Sequence, residues 1–393
     1  MLTREPGFAG LVVLTLALGI GANTAIFSVV NSVLLRPLAY REPERLVNVA
    51  EVVPKVARQY PLLPVNLAHY FDWKKRSTSF ESLALMNWTS LNLTGAGEPM
   101  AARGLRISAN TFDVLGAPLA LGRPFTEAEE RKDRDRVVIL SNPLWTQRFH
   151  ADPSVVGHTI QLDGKPYVVV GVAAEGWRSP MPSGLGSSMA AAATVQLFTP
   201  LGYTDDDLKD RFGDFNWTVI GRLRPGVTPE KALSEVNVIQ AGITNSIPEK
   251  IELRAAIQPL RDILVADSRR GLIVVMCAVA AVLLILCVNL ANLWFVRAAG
   301  LSRESAIRVA LGASRATLVR QTLVESLTLA LTGGLLGVVF AEVALKVLLS
   351  FAPAGFPRLG EVRLDGDALL FAVAVSVACG VLCAILPAIR TAR

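Results

Sequence analysis

Apolar residues gather into four long blocks, residues 8–35, 271–296, 318–349 and 368–386. Between the first and second lies a mixed stretch, Arg36 to Arg270, in which short apolar runs alternate with polar ones. Each block reaches the roughly 18–20 apolar residues that span a bilayer core. The pattern predicts one membrane helix, a large water-compatible domain, then three membrane helices. The expected fold class is thus membrane α-helical, with four transmembrane helices and an α+β domain inserted between helices 1 and 2. A cleaved signal peptide has an apolar run of only about 7–15 residues. Here the run continues through Ile26, Phe27, Val29, Val33 and Leu35, so a retained span is expected.

Within the insert, periodicity predicts a strand over 46–53 and an amphipathic helix over 65–76 with Leu67, Tyr70, Phe71 and Trp73 inward. A β-rich run follows at 137–140, and Ser141-Asn142-Pro143 opens a helix carrying Leu144, Trp145 and Phe149. Residues 159–162 and 167–172 flank Asp163-Gly164 as a hairpin. A strand is expected over 217–223, and Thr228-Pro229-Glu230 starts a helix to about Ile243. The charge run EAEERKDRDR (127–136) reads as a solvated helix end or loop, and MPSGLGSSMAAAA (181–193) as a mobile loop.

Composition supports membrane spans: 52% of residues are hydrophobic and 18% charged, against about 25% charged in soluble domains. The net charge of +6 lies in no basic patch interleaved with aromatics, so no nucleic-acid partner is expected. Arg297, Arg303, Arg308, Arg315 and Arg320 crowd the connection between spans two and three, with Arg4 before span one and Arg390 and Arg393 after span four. The positive-inside rule places all three regions, and both termini, in the cytoplasm. All four cysteines (Cys277, Cys287, Cys379, Cys383) fall inside the spans, where they act as small apolar residues; no disulfide framework is expected.

Catalytic chemistry is not indicated. His69, His150 and His158 lack metal-ligand spacing, and neither G-x-S-x-G nor H-E-x-x-H occurs. No G-x-x-x-x-G-K-[ST] loop is present, so energy from nucleotide hydrolysis would have to come from a second polypeptide. The sequence therefore predicts no enzyme, no metal site and no cofactor in this chain.

The stretch RAAGLSRESAIRVALGASRATLVR (297–320) predicts a short amphipathic helix over 303–311. Ser302 caps it, Ala306, Ile307, Ala310 and Leu311 form its apolar face, and Gly312 stops it. Such a helix either lies in the lipid interface or docks into a cytoplasmic partner. Small residues also mark close helix approaches. Gly19, Gly21, Ala22 and Ala25 do so in span one, and Gly333-x-x-x-Gly337 in span three, within one protomer or against a partner. Glu342 and Lys346 predict an i,i+4 ion pair near the end of span three.

The segment RESAIRVALGASRATLVRQTLVESL resembles the cytoplasmic loop and following span of MacB/FtsX-type ABC transporter permeases. LRISANTFDVLGAPLALGRPFT, VVILSNPLWTQRF, ADPSVVGHTIQLDGKPYVVVGV and RLRPGVTPEKA are similar to the MacB-like periplasmic core domain. LTLALGIGANTAIFSVVNSVLLRPL resembles the start of the duplicated acidobacterial-type permeases. The resemblance implies an N-terminal segment with helix 1 (1–36), a periplasmic core domain (37–266) and an FtsX-like permease domain (267–393). The core domain would have a membrane-proximal part, 37–95 plus 223–266, and a distal part, 96–222.

It further implies a multi-pass protein of the bacterial inner (plasma) membrane with its large domain in the periplasm. A separate cytoplasmic ABC ATPase dimer, which would hold ATP and Mg, would drive it through Arg303, Glu304, Ile307, Arg308, Gly312, Ala313 and Ser314. A second permease half or a homodimeric copy would complete the transporter, and a periplasmic adaptor could join it. The work done would be efflux or extraction of a peptide, lipid, lipoprotein or drug. Duplicated relatives carry a second four-span unit where this chain ends at Arg393, so it reads as one half of a pseudo-dimer or as a fragment. The alternative class is a sensor or regulatory membrane protein that acts on periplasmic partners and transports nothing.

Overall fold

The computed structural model describes residues 6–95, 97–177, 180–181, 195–246, 251–300, 315–351 and 362–391. Their contacts divide into a helical unit, within Met1–Arg36 and Ser268–Arg393, and a sheet unit, within Pro37–Asp267.

Helix α1 (Pro6–Val30) ends in a π-helical turn, Asn31–Leu35. The sheet unit begins with β1 (Leu46–Val52), β2 (Val65–Asn66), α2 (Leu67–Arg76), β3 (Phe80–Thr94), β4 (Met100–Ile107), α3 (Thr111–Leu115) and β5 (Leu119–Gly122). It continues with β6 (Val137–Leu140), α4 (Asn142–Phe149), β7 (Thr159–Leu162), β8 (Lys165–Ala173), β9 (Leu197–Pro200), β10 (Phe215–Leu223), α5 (Pro229–Ser246) and β11 (Arg254–Pro259). Three long helices follow among the described residues: α6 (Leu260–Gly300), α7 (Arg315–Phe351) and α8 (Gly366–Thr391).

The eleven described strands form one mixed sheet in the order β11-β1-β10-β3-β4-β9-β6-β8-β5, with β2 beside β10 and β7 bridging β3 and β8. The pairs β4–β9 and β6–β8 are parallel. β1 is apolar along most of its length because both of its faces are covered. Val47 and Val49 pack with Tyr70 and Trp73 of α2 and with Val236 and Ile239 of α5. On the other face Leu46 joins Met86, Leu105, Phe112, Phe198 and Ile220. A third core lies under α4, where Leu144 meets Val138, Leu140, Ile160 and Leu162.

Local chemistry sets the ends of these elements. The Asn66 side chain caps α2 by accepting from Ala68 N, and the Ser141 side chain caps α4 by accepting from Leu144 N. Asp163 and Gly164 both have positive φ (48° and 71°), the type I′ geometry that joins two strands in two residues. The charge run at 127–136 is not wholly solvated. Glu130 is buried, its Oε1 accepts from Ala109 N at 2.6 Å, and burial pushes its carboxyl above the usual range. That hydrogen bond supplies the partner that burial of a carboxyl requires.

Glu235 of α5 fastens the α2–β3 turn. Its carboxylate accepts from Ser77 Oγ, Thr78 N, Thr78 Oγ1 and Ser79 N at 2.6–2.9 Å. Burial pushes its pKa up, but these hydrogen bonds outweigh that and hold it at about 2. Glu235→Ala is expected to cost about 2 kcal/mol, read as a lower melting temperature of the detergent-solubilised chain. A depressed carboxylate stabilises above its ordinary value and loses that contribution as pH falls through the folded value. The gap between wild type and variant should therefore be full above pH 4.5 and close toward pH 2.

Candidate functional site

The features that bear on membrane function lie in the helical unit. Among the described residues, Gly7–Leu35, Ser268–Leu293 and Leu323–Phe351 are long and apolar enough to cross a membrane, and Gly366–Leu382 is a shorter apolar stretch of α8. Helix α1 is the hub. Its Val12, Leu16 and Ile20 are buried with Cys287 and Leu290 of α6, Leu329 and Ala330 of α7, and Ala372 and Cys379 of α8.

Glycines set how closely the helices approach. A Cβ on Gly21 would lie 2.7 Å from the Gly337 carbonyl oxygen, and one on Gly337 would lie 3.1 Å from Ala17 O. A Cβ on Gly333 would meet Leu16 Cβ at 2.8 Å. The Gly333-x-x-x-Gly337 face of α7 thus packs on α1 within the protomer. The buried Ala25 lies four residues beyond Gly21 on α1, one helical turn along. Gly19 faces Leu283 and Leu286 of α6, and Gly334 faces Ser376 of α8. In lipid, such small residues allow the backbone-close packing that holds helices together without a hydrophobic driving force.

A polar seam runs along the same helix. Asn23, Thr24, Ser28, Asn31 and Ser32 of the first span are all buried. Thr24 and Ser28 donate to the carbonyls one turn back (Ile20 O, 2.8 Å; Thr24 O, 2.9 Å), which satisfies their hydroxyls inside the helix. Asn23 reaches outward, with Nδ2 donating to Val279 O of α6 at 3.0 Å. At the end of the span, Asn31 Nδ2 lies 3.4 Å from both Asp365 Oδ2 and Asp367 Oδ2, and Arg36 pairs with Asp365. Asp365 Oδ1 also caps α8 by accepting from Ala368 N at 2.8 Å. Phe27 and Phe371 stack beside this cluster, their ring centroids 4.1 Å apart. Glu342 and Lys346 form their ion pair at 3.1 Å on the exposed side of α7.

Arg303, Glu304, Ile307, Arg308, Gly312, Ala313 and Ser314 lie outside the described residues, in the connection between α6 and α7. So do residues 182–193 of the expected loop. Sequence reasoning did not single out Asn23, Asn31, Asp365 or Asp367, and Arg36 entered it only as the boundary of the insert. For Asn23 and Asn31 the signal was polar residues recurring every three or four positions within an apolar block.

A second polar group that sequence reasoning missed lies in the sheet unit. Glu51 of β1 and His69 of α2 are fully buried, with His69 Nδ1 2.7 Å from Glu51 Oε1. Gln240 of α5 donates to the same oxygen at 3.4 Å and accepts from Trp73 Nε1 at 2.9 Å. Burial pushes the Glu51 carboxyl up, against the hydrogen bond and charge that His69 offers. No group of three or more His, Cys, Asp and Glu able to hold a metal ion occurs among the described residues.

A mixed-sheet unit in the same chain as several apolar helices packed at glycines is consistent with a membrane permease that carries a periplasmic-like domain. The family described as MacB-like periplasmic core domain matches residues 9–239, and the FtsX-like permease C-terminal family matches residues 276–393. The chain belongs to the MacB/FtsX-type family of ABC transporter permeases.

It is similar to the macrolide export ATP-binding/permease protein MacB of Salmonella typhi, at 26% identity over 77% of this chain and 44% of that protein. The same protein of Escherichia coli O157:H7 is 26% identical over 75% of this chain and 42% of its own length. The chain thus spans less than half the length of these relatives. Among solved structures, the periplasmic region of MacB from Actinobacillus actinomycetemcomitans matches 63% of this chain and 97% of that one, with 16% identity and a TM-score of 0.40. The extracellular domain of the Gram-positive ABC-type transporter YknZ matches 54% of this chain and 99% of that one, with 14% identity and a TM-score of 0.38.

Proposed function

We propose that this chain is the permease subunit of a bacterial ABC transporter, with four transmembrane helices, cytoplasmic termini and a periplasmic domain. The observation that carries the reading is the FtsX-like permease match over 276–393, which contains the Arg303–Ser314 positions. A separate cytoplasmic ATPase dimer, holding ATP and Mg, docks on the connection between α6 and α7 through Arg303, Glu304, Ile307, Arg308, Gly312, Ala313 and Ser314. The chain holds no P-loop of its own and acts as a non-enzymatic subunit. A second permease half, or a second copy, completes a two-fold transporter. The substrate is exported or extracted on the periplasmic side, where an adaptor can join the complex.

Helix α1 is the element best placed to carry motion through the helical unit. It touches α6 through Asn23, α7 through Gly21, and α8 through Asn31 and Phe27. Displacement of α7 from its cytoplasmic end therefore has to move α1 or break the glycine contact. A co-purifying P-loop ATPase from native membranes is the first expected result. With that ATPase reconstituted, Glu304→Lys and Ile307→Pro should each lower permease-dependent ATP hydrolysis about tenfold, the scale of a typical coupling free energy. Both variants should still insert into the membrane. Undiminished coupling in both would overturn the proposal.

A further inference from the structure

Helices α6 and α8 meet at two sulfur atoms. Cys287 Sγ lies 3.3 Å from Cys379 Sγ, and both side chains are buried. Around them are Leu290, Leu329, Ala330 and Ala372, an apolar core that excludes water. A disulfide requires sulfurs about 2.05 Å apart, so these two need approach by only about 1.2 Å. Helix packing alone asks only for small apolar residues here, and two thiols in contact offer a reaction that alanines would not.

We propose that Cys287 and Cys379 are a redox modification site, oxidised to an intramolecular disulfide by hydroperoxides dissolved in the bilayer. The class of oxidant follows from the surroundings. The neighbouring Leu284, Ile285 and Val288 of α6 are exposed on an apolar helix, so the face beside the buried pair is one that a lipid-soluble oxidant reaches and a water-soluble one does not. In the first step one thiol sulfur attacks the terminal peroxide oxygen. An S–O bond forms, the O–O bond breaks, and the alcohol leaves with the proton. The second thiol sulfur then attacks the sulfenic sulfur, forming S–S, breaking S–O and releasing water. The two thiols lose two electrons and two protons, and the hydroperoxide is reduced to an alcohol and water. Contact with the second thiol diverts the sulfenic acid from over-oxidation, the usual role of a resolving cysteine. Thiol exchange reverses the bond. The disulfide ties α6 to α8, and resting on the permease reading above, it holds the transporter in one state of its cycle.

The test uses the full chain in membranes, with Cys277 and Cys383 replaced by serine. Cumene hydroperoxide, a lipid-soluble probe, is compared with hydrogen peroxide at equal concentration. Free thiols are then alkylated and the digest is read by mass spectrometry. The expected product is a linked peptide pair containing Cys287 and Cys379, formed on the order of tenfold faster with cumene hydroperoxide, as access dictates. Cys379→Ser should instead accumulate sulfinic acid at Cys287. Absence of the linked pair, with both thiols still open to alkylation after unfolding, would overturn the proposal, as would bonds formed only between two copies. The bond is read without any ATPase. If it forms but no ATPase co-purifies, the permease reading fails while the modification site stands.

Discussion

Gly21→Val should cost the helical unit about 3 kcal/mol and lower its melting temperature by several degrees in detergent. The Cβ alone would sit 2.7 Å from the Gly337 carbonyl oxygen and 2.8 Å from Phe340 Cδ1, and the rest of the side chain would press further into α7. A flexible side chain could turn away from such an intrusion, but a backbone carbonyl inside a helix cannot. Helix α7 must then withdraw from α1, and Gly333 loses its contact with Leu16 at the same time. Helix propensity works in the opposite direction, because glycine is up to about 1 kcal/mol worse than alanine in a helix interior. The packing loss wins because it is concentrated on backbone atoms and spreads along two turns. Gly10→Ala is the matched control. Nothing lies within 4 Å of its Cβ position, so only the propensity gain remains and stability should hold or rise. Equal melting temperatures for Gly21→Val and wild type would mean that α1 and α7 do not pack through this face.

Much of this was legible in the sequence. The strand Val137–Leu140 and the helix after it were readable because Ser141-Asn142-Pro143 combines a cap with a proline in the first turn. The hairpin was readable because Asp163-Gly164 suits two positive φ angles. The long strand β3 was not. Its first half pairs with β10 and its second half with β4, so it keeps no single period, and Asn87 and Thr89 interrupt its apolar run. The glycines of the bundle were visible as small-residue stripes, but their partners were not. Whether Gly333 and Gly337 meet α1 or another protomer depends on tertiary packing, which puts Ala17 O and Gly21 N against Gly337. The cluster of Asn31, Arg36, Asp365 and Asp367 was illegible for the same reason, since more than three hundred residues separate its halves.

The buried carboxyl of Glu51 should make the sheet unit lose stability as pH rises, and Glu51→Gln should remove that loss. Three elements surround this group: α2 presents His69, α5 presents Gln240, and the backbone at Asn66 favours the charged form. Burial is the largest influence and raises the carboxyl above its ordinary 4.5, while His69, Gln240 and Asn66 pull it back only in part. A carboxyl raised by folding favours its neutral form in the native state. Its contribution is fully present below the ordinary value and is lost as pH rises through the folded one. Between those two values the slope reaches about 1.4 kcal/mol per pH unit for one proton. Glutamine can accept at Oε1 as the carboxyl does, and its amide takes the place of Oε2, which has no hydrogen-bond partner among the described residues. Glu51→Gln should therefore match wild type near pH 4.5 and exceed it as pH rises above that value, in thermal unfolding of the full chain in detergent. The opposite trend, with the variant falling behind as pH rises, would mean that Glu51 is held as a carboxylate. In that case the hydrogen bonds around the carboxylate, and not burial, would govern this part of the core.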